Sequence, residues 1–188
     1  MPLKNDSDTW GSASIALHWL TAALVLGMAV AGLTMTDMVN SPAKLQVYGL
    51  HKSFGVTILG LTVLRLAWRL ASGTPEPVAG TPRWQDAIAR MTHGALYVLL
   101  LAVPISGWWF NSAAGFPLRW FGLIQLPKLT TFDPAIKALA RETHETLFWV
   151  LACVVFAHAA AALWHHYRLR NRTLSRMLPL VKPFGKQS

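Results

Sequence analysis

The chain has 188 residues, of which 53% are hydrophobic and only 13% charged, with a mean hydropathy of +0.37. Soluble globular proteins carry about 25% charged residues, so the composition points to lipid as the solvent. The formal charge of +9 raises nucleic acid as a partner, but a basic nucleic-acid module shows its charge along a soluble surface. Here the cations sit between long apolar runs, which suits anionic membrane lipid and leaves no nucleic acid among the expected partners.

In chain order, the N-terminus opens on polar Lys4, Asp6 and Asp8 and lacks the basic-then-apolar pattern of a cleaved signal peptide. The first apolar segment is therefore expected to stay as an anchor. Four segments approach the roughly 20 apolar residues a spanning helix needs: about 15–36, 47–70, 93–110 and 145–167. They predict an all-α integral membrane four-helix bundle, one domain over 1–188. A short loop surrounds Asn40, Ser41 and Pro42, and a Pro/Gly-rich one runs from Ser72 to Pro82. The longer 111–140 segment carries Arg119, Lys128, Lys137 and Arg141 among aromatic and proline residues. A loop of that length is ordered more often than not when it belongs to a compact domain, and a short helix is expected within it.

Cations set the orientation. Lys4, Arg65, Arg69, Arg83, Arg90, Arg168, Arg170, Arg172, Arg176, Lys182 and Lys186 fall on one side, against Lys44, Lys52, Arg119, Lys128, Lys137 and Arg141 on the other. Cytoplasmic loops carry the excess, so both termini are expected in the cytoplasm and 111–140 outside it. Tryptophans near the span ends, such as Trp19, Trp68, Trp108 and Trp164, read as head-group anchors.

Six of the seven histidines, His18, His51, His93, His144, His158 and His165, sit in or at the ends of the spans, where ionisable groups are costly and usually functional. Hydrogen bonding between helices is the alternative use for any one of them. His144 and His158 are fourteen residues apart, so they point within about 40° of each other and stand about 21 Å apart along one helix. That helix can supply a ligand at each of two depths. His18 lies in the inner half of the first span and His51 in the outer half of the second, which gives the pairs His18 with His158 and His51 with His144. Two imidazoles on opposite faces of a porphyrin make a six-coordinate iron suited to electron transfer, and the haems would lie between the helices. The lone Cys153 and the absence of C-x-x-C-H require any haem to be held non-covalently. Gly55 and the alanines at 157 and 159–162 offer room beside His51 and His158, or simply close helix packing. Zinc, the rival occupant, needs four ligands together, and two separate depths argue against it.

Several runs resemble the bacterial cytochrome b561 family: Ala16-Leu17-His18-Trp19-Leu20, Gly49-Leu50-His51-Lys52-Ser53-Phe54-Gly55, Glu142-Thr143-His144-Glu145, His158 through Tyr167, and the tail Asn171 through Pro179. The resemblance covers nearly the whole chain. It implies that His18, His51, His144 and His158 are the haem ligands, in agreement with the depth argument. It further implies two haem b groups in series, a bacterial inner-membrane location, a periplasmic donor and a quinone acceptor. Relatives of this kind act as superoxide oxidases, which pass the electron from superoxide to ubiquinone.

His93 starts the third span on the inner side and competes with His18 for His158. His165 keeps nearly the same helix face as His158 and, with His166, Tyr167 and Arg168, forms a group of donors suited to a quinone carbonyl; snorkelling into head groups is the other reading. The outer set of Lys52, Arg119, Lys128, Lys137 and Arg141 could steer superoxide inward, or bind lipid. Two further function classes stand beside this one. The first is a membrane-anchoring cytochrome b subunit whose 111–140 segment docks a periplasmic redox protein. The second, a histidine-based metal transporter, ranks last because the spans hold almost no acidic residues.

Overall fold

In the computed structural model, residues 2–178, 180 and 181 are described; Pro179 of the tail motif and Lys182 and Lys186 of the cation count lie outside them. Helices α1 (Ser12–Met35), α2 (Pro42–Ser72), α3 (Arg83–Ala113) and α4 (Pro134–Tyr167) are each long and apolar enough to cross a membrane. The protein is an all-α four-helix membrane bundle, with one antiparallel hairpin, β1 (Leu118–Trp120) and β2 (Ile124–Leu126), between α3 and α4. At 1.5 Å per residue a 31-residue helix such as α2 measures about 46 Å, well beyond a hydrocarbon core of about 30 Å. Helices α2 and α3 therefore project past their apolar runs at both ends, and α1 and α4 at their N-terminal ends.

Local chemistry sets where they start. Ser41 Oγ accepts the Lys44 N–H ahead of Pro42, and Asp133 Oδ1 accepts the N–H groups of Ala135 and Ile136 ahead of Pro134. Each is a side-chain N-cap followed by proline in the first turn, where its missing donor costs nothing. The Asp133 cap corrects one expectation. No separate short helix occupies 111–140; its helical parts are the last residues of α3 and the first turns of α4, and the rest is the hairpin and its flanks. The hairpin turns through Phe121 and Gly122, both at positive φ (47° and 76°), with Leu123 N–H donating to Trp120 O. That is the type I′ turn that matches strand twist.

The hairpin is tied down on α2 and α3. Trp120 Nε1 donates to Thr57 Oγ1, Phe121 N–H to Ser53 Oγ, Trp108 Nε1 to Pro127 O and Leu129 N–H to Ser112 Oγ, at 2.9 to 3.1 Å. At the opposite, terminal end, Arg176 donates to the carbonyls of Asp8 and Glu76, Glu76 N–H to Ser7 O, and Trp19 Nε1 to Met177 O. Trp68 Nε1 donates to Ser14 Oγ. Several tryptophans expected as lipid anchors thus hold protein groups instead.

Helix α1 packs on α2, α2 on α3, and α3 on α4. Among the described residues, no Cα of α4 comes within 8 Å of a Cα of α1 or α2. A slot therefore separates α4 from the first two helices. Ile58, Leu99, Leu100 and Leu151 form the buried core, with Leu24, Val25, Met28, Leu96, Val103, Leu147, Val154 and Val155 around it. Leu151 lies seven residues from both His144 and His158, so this apolar layer is level with the midpoint between them. Buried Thr21 and Thr62 bond to the carbonyls of Leu17 and Ile58 in their own helices, which satisfies hydroxyls where no water is available.

Candidate functional site

Across the slot the histidines face one another in two pairs. The ring centroids of His51 (α2) and His144 (α4) are 6.4 Å apart, with planes at 85°. Those of His18 (α1) and His158 (α4) are 6.3 Å apart, at 60°. Two imidazoles bound on opposite sides of one metal ion, through bonds of about 2 Å, hold their centroids about 6.3 Å apart. Both pairs have that span, and both bridge helices whose backbones stay apart. His93 sits closer to His158, at 5.2 Å with planes at 68°. This is an edge-on ring contact, too short for a metal between two opposed imidazoles. Among the described residues no group of three or more His, Cys, Asp or Glu side chains converges on a metal position.

The hairpin-end pair is shaped by α3. His144 Nδ1 lies 3.0 Å from Val103 O and 3.0 Å from Ser106 Oγ. A carbonyl only accepts, so Nδ1 carries the hydrogen and Nε2 keeps its lone pair for a ligand. A Cβ on Gly107 would stand 3.0 Å from His144 Cε1, and one on Gly32 3.2 Å from His51 Cε1. These two glycines are the room the rings occupy. Buried His51 Nδ1 has no hydrogen-bond partner. The donor chemistry, the spacing and the absent side chains all fit a flat bis-imidazole group such as haem.

Gly32 and Gly107 are not among the small residues that the sequence points to. Those are Gly55, where an added Cβ would meet only Met28 Cε at 4.0 Å, and the alanines near His158, of which 157 and 159–161 are exposed. A glycine on a helix face opposite a histidine leaves no local signal in the chain.

The terminal-end pair has charged neighbours. Arg65 Nη2 is 3.2 Å from His18 Nδ1, and the guanidinium carbons of Arg65 and Arg69 lie 5.5 and 5.9 Å from the centre of the Tyr97 ring. Beyond them, Asn171 Nδ2 donates to His165 Nδ1 at 2.8 Å, His166 is buried, and Tyr167 and Arg168 are exposed.

The outer basic residues do not form one patch. Lys52 and Arg119 line a groove of ≈ 550 Å³ with Gln46, Ser53 and Phe121, and Lys52 Nζ is 3.3 Å from Asn111 Oδ1. Lys137 and Arg141 line a second hollow of ≈ 300 Å³ beside Phe132 and Pro134. Lys128 Nζ donates to Gly115 O. Arg141 is ion-paired with Glu145 at 2.7 Å, so its field on an approaching anion is largely offset.

Comparison with known proteins places this arrangement in context. A family model described as prokaryotic cytochrome b561 matches residues 9–180. The chain is 34% identical to cytochrome b561 homolog 2 of Escherichia coli K12 over 179 residues, 95% of each chain. It is 30% identical to "Probable superoxide oxidase CybB" of Yersinia pestis over 165 residues, 88% of this chain and 93% of that one. Cytochrome b562 of Cereibacter sphaeroides is 32% identical over 170 residues, covering 87% of this chain and 91% of that protein.

Proposed function

The chain belongs to the prokaryotic cytochrome b561 family of membrane electron-transfer proteins that bind b-type haem, and on that premise we propose that it is a superoxide:ubiquinone oxidoreductase carrying two haems. The observation that carries this reading is the matched pair of histidine spans, 6.3 and 6.4 Å, at two levels of one slot. His51 with His144, and His18 with His158, are the residues that would hold the two haem irons.

When bound, haem would supply reversible one-electron chemistry. The chain's own residues do the rest. Val103 and Ser106 fix the His144 tautomer, a partner shell of the kind that orients metal-bound histidines. Gly32 and Gly107 keep the slot open. Leu151 and its neighbours hold the region between the two levels dry. Lys52 and Arg119, in the groove beneath the hairpin, draw a small anion toward His51; Lys128, Lys137 and Arg141 contribute less, since Arg141 already has Glu145. At the terminal end His165, His166, Tyr167 and Arg168 offer donors to a quinone carbonyl and a route for its protons. The balance is two superoxide anions, one ubiquinone and two protons giving two O₂ and one ubiquinol. With the cation excess at the terminal end, both termini are assigned to the cytoplasm and the hairpin to the periplasm. The Yersinia pestis relative named "Probable superoxide oxidase CybB" supports the choice of donor.

The test is a superoxide pulse onto the purified oxidised protein, followed at the visible haem band, with superoxide dismutase as control and ubiquinone added afterwards. Dismutase-sensitive reduction and then quinone-driven reoxidation are expected. A haem band that ignores superoxide rejects the donor.

One observation favours a second reading, the membrane-anchoring cytochrome subunit. Phe116, Leu123, Ile124 and Phe132 are all more than half exposed around the hairpin, an apolar surface on which a redox protein can dock. Copurification of a stable periplasmic partner would select it.

A further inference from the structure

We propose that Arg65 and Arg69, gathered on the ring of Tyr97 beside His18, form an anion site that takes the propionate carboxylates of the haem held by His18 and His158. The inference rests on the ligand assignment above. Three observations carry it.

The first is a mismatch of hydrogens. A guanidinium only donates, so the 3.2 Å contact of Arg65 Nη2 with His18 Nδ1 requires Nδ1 to accept and Nε2 to carry the hydrogen. Coordination through Nε2 needs the opposite tautomer, with Nδ1 as donor; coordination through Nδ1 would put the metal where Arg65 stands. In either case Arg65 must leave His18 when the pair closes on a metal, and it needs another acceptor. The second is the lack of one. Arg65 and Arg69 are half-buried, and helix α2 has no acidic residue at all. Neither arginine belongs to the ion pairs of Arg90 with Asp86 and Arg141 with Glu145. Two guanidinium groups without a counter-anion inside a bundle are costly until one arrives. The third is placement. Arg65 and Arg69 are one turn apart on the same face of α2, and both approach the Tyr97 ring, an aromatic face that attracts and orients guanidinium. Two planar forks side by side suit carboxylate oxygens, which arginine binds in bidentate fashion.

The test uses the purified holoprotein, with haem labelled with ¹³C at the propionate carboxyls, and reads redox-induced infrared difference bands beside a potentiometric titration of each haem. Arg65→Gln and Arg69→Gln are each expected to shift the labelled carboxylate bands of one haem. Each should also lower that haem's reduction equilibrium about tenfold, ~59 mV for a one-electron couple, because a cation that favours the reduced state is gone. Arg65→Lys keeps the charge and loses the fork, so it should move the bands while leaving most of the potential. That variant keeps the test open if Arg65→Gln fails to assemble. Labelled bands and potentials that ignore all three substitutions overturn the site. Bands that stay fixed while tightly bound phospholipid phosphorus falls would assign the arginines to a lipid phosphate, which also overturns it. Failure of the ligand assignment is separate: it appears as two haems retained in His18→Ala or His158→Ala, whatever the arginine variants do.

Discussion

The two ends of the slot offer the same distance between histidines and opposite surroundings. At the hairpin end the groups in contact with the rings are neutral: a backbone carbonyl, a serine hydroxyl and two bare glycines around His51 and His144. At the terminal end they are an arginine on His18, a second arginine, a tyrosine and the ring of His93. The first pair already has its His144 lone pair available and its room cleared. The second has to change a tautomer and release a cation before it can close. Preorganisation at one end and charge at the other are two of the levers by which a protein tunes an iron centre, and on the proposed ligand assignment this chain applies one at each end.

The largest effect comes from deleting a ligand. His144→Ala is expected to lower the haem content from two per chain to one and to spare the terminal-end haem, while His158→Ala spares the hairpin-end one; a pyridine haemochrome assay with visible spectra reads both. Two haems in either variant would break the comparison at its root. A smaller effect follows from filling the cleared room. An alanine Cβ at position 107 would stand 3.0 Å from His144 Cε1, so the ring must shift. A shift that takes the ring off its Val103 and Ser106 partners is expected to cost about 10–100-fold in affinity, to be measured by haem transfer to apomyoglobin. Gly55→Ala, whose Cβ meets only Met28 at 4.0 Å, should leave both haems as they are. The smallest is Ser106→Ala. It removes one of the two partners of His144 Nδ1 and leaves the Val103 carbonyl, so the cost should be about 1 kcal/mol, seen as less than a tenfold change at the hairpin end alone. An equal change at both ends would show that Ser106 acts through the fold and not through His144.

Much of this was legible in the chain. The apolar runs gave the four helices, and the fourteen-residue interval between His144 and His158 gave two depths on one helix. The helix limits were not legible from hydropathy, because it marks only the part in hydrocarbon. Polar starts at Pro42, Arg83 and Pro134 add turns in the head-group layers, where capping chemistry governs. The hairpin was written in the alternation Leu118-Arg119-Trp120 and Ile124-Gln125-Leu126 around Gly122, too short a pattern to outweigh the expected helix. Arg65 was counted only as one cation among eleven, because its neighbour His18 lies 47 residues away and only the packing of α1 on α2 brings them together.

Both pairs draw one member from α4, the last of the four described helices. During synthesis His18 and His51 enter the membrane early and wait with open sides, since neither has its counterpart until the final span follows. On the proposed ligand assignment, cofactor capture is thereby postponed until α4 has followed. A nascent chain arrested before Pro134 should then be colourless, and one extended past Tyr167 is expected to acquire haem.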